Sequence, residues 1–331
     1  MSTNRKFELL ALRGALLLFV LLAQVSYGGN ASWQMESVAI SPDGKLIAIG
    51  VQHENASFIY KVPVDTGIAN KLTNAKAGEE TSPAFSPDGK LIAYAFSAGP
   101  VDRSRIIIVN ADGSDPRQWS PSGVADLSPA FSPDDKTIVF SRSGFYGSYS
   151  PIAQPHPHDW NFYASDLDGT NVRQLTTENF YMVSPPSVSS DGKNMVVVTE
   201  GVETSPQIAI YSIDHPGPRV HAYQPHVPNE VDHKNSIFAY PNFLPDGSIL
   251  FMAADRRMNY DVYRLSPGTG AIEKLTNENG YATDLQVSAD GSTAVFFKWR
   301  KNWLGDLTGC EVCLLDIRSR TVRPLSIAGL P

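Results

Sequence analysis

The chain has 331 residues, 42% hydrophobic and 18% charged, a composition that supports a packed core and excludes wholesale disorder. Its 27 basic and 34 acidic residues give a net charge of −7 with no lysine or arginine run, which argues against a nucleic-acid partner. Two cysteines in a chain of this length exclude a disulfide framework.

The first element is a leader. Arg5, Lys6 and Arg13 precede an apolar run from Ala15 to Val25, followed by the small residues Ser26, Gly28, Gly29 and Ala31. The run is too short for a span of roughly twenty residues and has the layout of a secretory signal peptide. Residues 1–31 are therefore expected to be removed, with an uncleaved anchor as the alternative. Cleavage would remove three basic residues and one acidic residue, leaving 24 against 33 and a net charge of −9. The mature chain is expected to be periplasmic or secreted, monomeric and without a stable membrane span.

From residue 33 a single unit returns. The stretch "SPDGKLIAIG" from Ser41 recurs as "SPDGKLIAYA" from Ser86 and "SPDDKTIVFS" from Ser132. Further copies are "SSDGKNMVVV" from Ser189, "LPDGSILFMA" from Leu244 and "SADGSTAVFF" from Ser288. The turn aspartates Asp43, Asp88, Asp134, Asp191, Asp246 and Asp290 are spaced 45, 46, 57, 55 and 44 residues apart. Six copies at such a period fit four strands per repeat. In the Ser-Pro-Asp-Gly form of the turn proline presets φ, aspartate bonds the local backbone, and glycine accepts positive φ at the exit. The aspartates are therefore turn formers. Each copy ends on a second hairpin, as in "FIYKVPVDTGIANKLT" and "DVYRLSPGTGAIEKLT". Near the end, Cys310 and Cys313 stand three apart in "TGCEVCLLDI". In a strand they face opposite ways, which fits buried structural thiols better than a redox or metal site.

The Ser-Pro-Asp-Gly-Lys turn and the closing Leu-Thr hairpin resemble the TolB-type β-propeller repeat, over roughly residues 33–326. The resemblance implies an all-β fold: a six-bladed β-propeller with four antiparallel strands per blade. Blades are expected at about 33–78, 79–125, 126–181, 182–237, 238–281 and 282–326, within one domain of residues 32–331. TolB itself carries an additional N-terminal α/β domain, which this chain is expected to lack, and TolB's Tol–Pal partnership is not carried over.

Naming the strands A to D from the axis outward, an antiparallel meander puts the A–B and C–D turns on one face and the B–C and D–A loops on the other. The long spacings come from two insertions on that second face, a B–C loop at 143–159 and a D–A link at 224–238. The B–C loop from Trp299 joins them. Long loops on a rigid scaffold are where binding resides. The candidate ligand-binding residues are Tyr146, Tyr149, His156, His158, Asp159, Trp160, His226, Asp232, His233 and Trp303. His156, His158, His226 and His233 could hold a divalent metal, although no cofactor is expected and solvated loop histidines are the alternative. The aromatic residues could bind a sugar or a peptide, or fold the long loop onto its blade. No Gly-x-Ser-x-Gly elbow, phosphate-cradling loop or His-Glu-x-x-His motif is present. The reading is a module binding a protein or carbohydrate ligand; the alternative is a metal-dependent lyase or hydrolase working at the same face.

Overall fold

The computed structural model describes residues 33–74, 77–99, 103–121, 123–147, 156–200, 206–227, 237–278, 280–301 and 307–331. The expected leader lies outside them. Among the described residues there is no helix, and the strands form six antiparallel sheets, each built from consecutive strands.

Blade 1 consists of Trp33–Ile40, Leu46–His53, Ala56–Pro63 and Asn70–Lys71; blade 2 of Glu79–Phe85, Leu91–Ser97, Arg105–Asn110 and Arg117–Gln118. Blade 3 runs Asp126–Phe131, Thr137–Gly147, His156–Asp166 and Arg173–Gln174. In blade 4 the A strand is split into Met182–Val183 and Ser187–Val188, before Asn194–Glu200, Gln207–Ser212 and His221–Tyr223. Blade 5 is Phe238–Phe243, Ile249–Ala254, Tyr260–Ser266 and Ala271–Lys274, and blade 6 is Tyr281–Val287, Thr293–Lys301, Leu307–Asp316 and Thr321–Leu325. The A strands touch one another in a closed ring, blade 1 to blade 6 and back to blade 1. This is the expected six-bladed propeller.

The repeated turn works as its residues dictate. Ser41 Oγ donates to Asp43 Oδ1 (2.7 Å), Lys45 N donates to the same oxygen (3.1 Å), and Leu46 N donates to Ser41 Oγ (2.9 Å). The serine–aspartate bond recurs in blades 2, 3, 4 and 6. Blade 5 has Leu244 in the serine position, and Asp246 instead accepts from Ser248 Oγ at 2.6 Å. The neighbouring hydroxyl, or for Asp88 the Lys90 ammonium, holds the six carboxyls below their usual range, Asp88 at about 2. The turns also abut around the ring. A Cβ on Gly89 would stand 3.9 Å from Pro42, one on Gly192 3.8 Å from Pro133, and one on Gly44 3.8 Å from Thr293. All the tight turns therefore share one face.

The Leu-Thr endings have an equally specific job. Thr73, Ser120, Thr176 and Thr276 each accept a hydrogen bond from the backbone N–H of the C strand fourteen residues earlier, at Ile59, Ile106, Phe162 and Val262 (2.7–3.0 Å). The D strand is only two to five residues long, so a side chain completes what the ladder leaves open. Between neighbouring blades lie six apolar clusters, one per boundary. Cys310 packs against the cluster between blades 6 and 1 and Cys313 is buried in that between blades 5 and 6. They face opposite sides of one strand as expected, and burial pushes both thiols up.

Candidate binding face

The B strands start at the tight turns, so their far ends, where the B–C connections form, lie on the opposite face. Two B–C hairpins are longer than the rest. In blade 3 the B and C strands each have eleven residues, and in blade 6 nine and ten, against six to eight elsewhere. With six blades in order, blades 3 and 6 lie across the axis from each other. Two raised hairpins therefore flank the axis on one face.

The structure corrects one expectation here. Ser143–Gly147 and His156–Asp159 are paired strand, not loop, with Ser143 opposite Trp160, Phe145 opposite His158 and Gly147 opposite His156. Cross-strand contacts extend the ladder. The Phe145 and His158 rings stack at 5.9 Å, and His158 N donates to Ser143 Oγ at 3.1 Å. Trp299–Lys301 and Leu307–Gly309 are likewise strand.

A buried ion pair fixes the root of the blade 3 hairpin. Arg142 donates from Nε to Asp126 Oδ1 (2.6 Å) and from Nη2 to Asp126 Oδ2 (2.8 Å). The guanidinium also lies over the Phe140 and Tyr163 rings. Asp126 is fully buried, and burial raises its carboxyl despite the arginine. Residues 142 and 126 form the last pair between the A and B strands on this side, so the hairpin leaves the blade at a rigid point.

Of the candidate residues, Tyr146 is half-buried, with the Arg103 guanidinium 5.3 Å from its ring centre. His158 and Asp159 are half-buried on the same hairpin, Asp159 with φ +54°. His156 occupies a strand position opposite Gly147. Trp160 is buried among Phe162, Phe180 and Leu175, so it fastens the hairpin to its blade. His226 is exposed on the link between blades 4 and 5. Tyr149, Asp232, His233 and Trp303 lie outside the described residues. Among the described residues no group of three or more His, Cys, Asp or Glu is placed to hold a metal. His158, Asp159 and His226 therefore do not form one.

The sequence reasoning missed a second feature of the inner strands. Four residues before each turn serine stand Ser37, Ser82, Ser128 and Pro185, but blades 5 and 6 carry Tyr240 and Asp284 there. The A strands bulge at this point, and Ser82, Ser128, Tyr240 and Asp284 have φ between 50° and 60°. Asp284 lies within electrostatic reach of Glu36 of blade 1, the residue skipped by that blade's own bulge. Burial, with Glu36's charge beside it, raises the Asp284 carboxyl to about 7. Burial also raises Glu36 to about 7, against the bond from Ser57 Oγ (2.7 Å), with Glu79 adding to the rise. The signal available in the sequence was the break in a column of small residues.

Comparison with known proteins agrees with this architecture. Residues 23–149 match the TolB beta propeller domain family. The fold is that of a β-propeller, and its first part carries the TolB-type repeat. TolB from Acinetobacter baumannii superposes with a TM-score of 0.60 at 18% identity, over 92% of this chain and 66% of that one. A nidogen/laminin complex structure matches at 0.56 and 14%, over 80% of this chain and 88% of that one. An oligogalacturonate lyase in complex with manganese matches at 0.56 and 14%, over 87% and 75%. Among curated proteins no sequence relative is found. At these identities the likeness is one of fold.

Proposed function

We propose that the chain is an exported binding module that takes a protein or carbohydrate ligand on the face opposite the tight turns. The observation carrying this reading is the pair of lengthened hairpins on blades 3 and 6, set across the axis from each other on that face. The scaffold does not need them, since blades 1, 2 and 5 form complete sheets with B and C strands of six to eight residues. Tyr146, His158 and Asp159 contribute from the blade 3 hairpin. Tyr149, His156, His226, Asp232, His233 and Trp303 are the remaining candidates. Two fold relatives support a macromolecular ligand: TolB, and the propeller seen in the nidogen/laminin complex. A carbohydrate fits the likeness to oligogalacturonate lyase, whose manganese also keeps a metal-dependent lyase or hydrolase as the alternative reading. Stoichiometric divalent metal in the purified protein would favour that alternative. Residues 1–31 serve as the cleaved leader in this reading, placing the monomeric domain of residues 32–331 in the periplasm or outside the cell.

The test replaces residues 145–157 with a short glycine-containing turn. Thermal melting should be unchanged within a few degrees, because Asp126, Arg142 and Trp160 are retained. Capture of the ligand from the native host's envelope or secreted fraction should be lost. Retained capture by the shortened protein would move the binding surface elsewhere.

A further inference from the structure

Five of the six blade boundaries are crossed by the chain itself, because each D strand leads to the next A strand. Among the described residues the boundary between blades 6 and 1 has no such link, and the two blades share no strand. Closure therefore depends on non-covalent contacts, and their loss would open the ring at one place.

The residues after Thr321–Leu325 lie across this boundary. Ala69 N donates to Ala328 O (2.8 Å) and Ala328 N donates to Gly67 O (3.0 Å), forming a short parallel bridge between residues 68 and 328. Ile327 and Leu330 pack against the apolar cluster between blades 6 and 1, beside Val64. The approach is close enough to require glycine on the blade 1 side. A Cβ on Gly67, whose φ is +67°, would stand 2.1 Å from Ser326 O. The corresponding glycine of blade 5 is Gly270, in the same hairpin position with φ +70° and nothing within 4 Å of its Cβ.

We propose that residues 326–331 are a latch that clasps blade 6 to the outer hairpin of blade 1, and that its release opens the ring at this boundary. The latch replaces the missing chain link with two backbone hydrogen bonds and two apolar side chains. In an array where each unit contacts only its neighbours, the boundary lacking a covalent connection is the one whose contacts must hold unaided. The chemistry of the clasp is entirely that of this chain, so it needs no ligand.

Amide hydrogen exchange on the full chain tests this with three variants. Gly67→Ala adds a methyl where Ser326 O stands, and Ala328→Pro removes the N–H that reaches Gly67 O. Gly270→Ala imposes the same left-handed strain without touching the latch. Exchange should quicken at least tenfold in Trp33–Ile40 and Tyr281–Val287, the inner strands on the two sides of the boundary, for Gly67→Ala and Ala328→Pro. Gly270→Ala should leave both strands at the wild-type rate. If Gly67→Ala does not fold, Ala328→Pro decides alone. Acceleration confined to residues 67–69 and 326–331, or equal in Gly270→Ala, would overturn the latch.

Discussion

The charge of Glu36 acts on Asp284 across the boundary between blades 1 and 6, and the titration of these two carboxyls should dominate the pH dependence of stability near neutrality. Burial raises Glu36 from 4.5 and Asp284 from 3.8, each to about 7. A carboxyl raised in the folded state stabilises the fold at pH values below its unfolded pKa. That contribution is lost as pH rises through the folded value. The window here runs from about pH 4 to about pH 7. For Glu36 the rise is about two and a half pH units, worth about 3 kcal/mol at about 1.36 kcal/mol per unit. Asp284 is similar, but part of its rise comes from the charge of Glu36, so the two do not simply add, and together they contribute on the order of 3–6 kcal/mol. Urea unfolding of wild type and of the Glu36→Gln/Asp284→Asn double variant at pH 4.5 and pH 8 measures it. Glutamine keeps an acceptor for Ser57 Oγ, and asparagine tolerates the φ of +60° at 284. Wild type should lose several kcal/mol between the two pH values, and the variant should lose far less and be the more stable protein at pH 8. Equal losses in both proteins, or a variant weaker than wild type at pH 8, would refute the argument that these carboxyls are held protonated by burial.

Two further substitutions probe the repeat. Asp135 occupies the turn position that is glycine in the other five copies and has φ +57°, so Asp135→Gly should stabilise by roughly 0.5–1 kcal/mol, the relief of left-handed strain less the added unfolded-state entropy; a lower urea midpoint would contradict it. Thr176→Ala leaves Phe162 N without its partner in the core and should cost about 1–3 kcal/mol, whereas Thr176→Ser should recover most of it, both read from urea midpoints.

The repeat was legible because its information is local. Ser41, Asp43 and Gly44 make the turn from contacts within six residues, and six recurrences at a steady spacing leave few architectures. Parity then placed the long segments on one face. The extent of the hairpins was not legible, because Phe145 and His158 declare themselves strand residues only through each other. A segment containing Gly144, Gly147, Pro155 and Pro157 reads as loop until that pairing exists. The tryptophan fared similarly: an aromatic residue at 160 has the same composition signal whether it meets a ligand or, as here, Phe180 of the following link.

The inner-strand carboxyls mark a different limit. Glu36 and Asp284 are 248 positions apart in sequence, and no spacing rule joins them; the closing of a six-blade ring does. The same closure brings Ser326 to Gly67, and both pairs lie on the boundary that no D-to-A link crosses among the described residues. That boundary therefore combines an electrostatic repulsion that grows as the carboxyls ionise with a clasp that carries no titratable side chain among residues 326–331. The two effects oppose each other and depend on pH differently. Weakening the clasp should consequently matter more at pH 8 than at pH 4.5. In Ala328→Pro, the acceleration of exchange in Trp33–Ile40 should be greater at the higher pH after correction for intrinsic exchange rates. In the background where Glu36→Gln and Asp284→Asn remove the charges, that pH difference should vanish. A pH difference of the same size in both backgrounds would show that the clasp and the carboxyls act on separate openings of the ring.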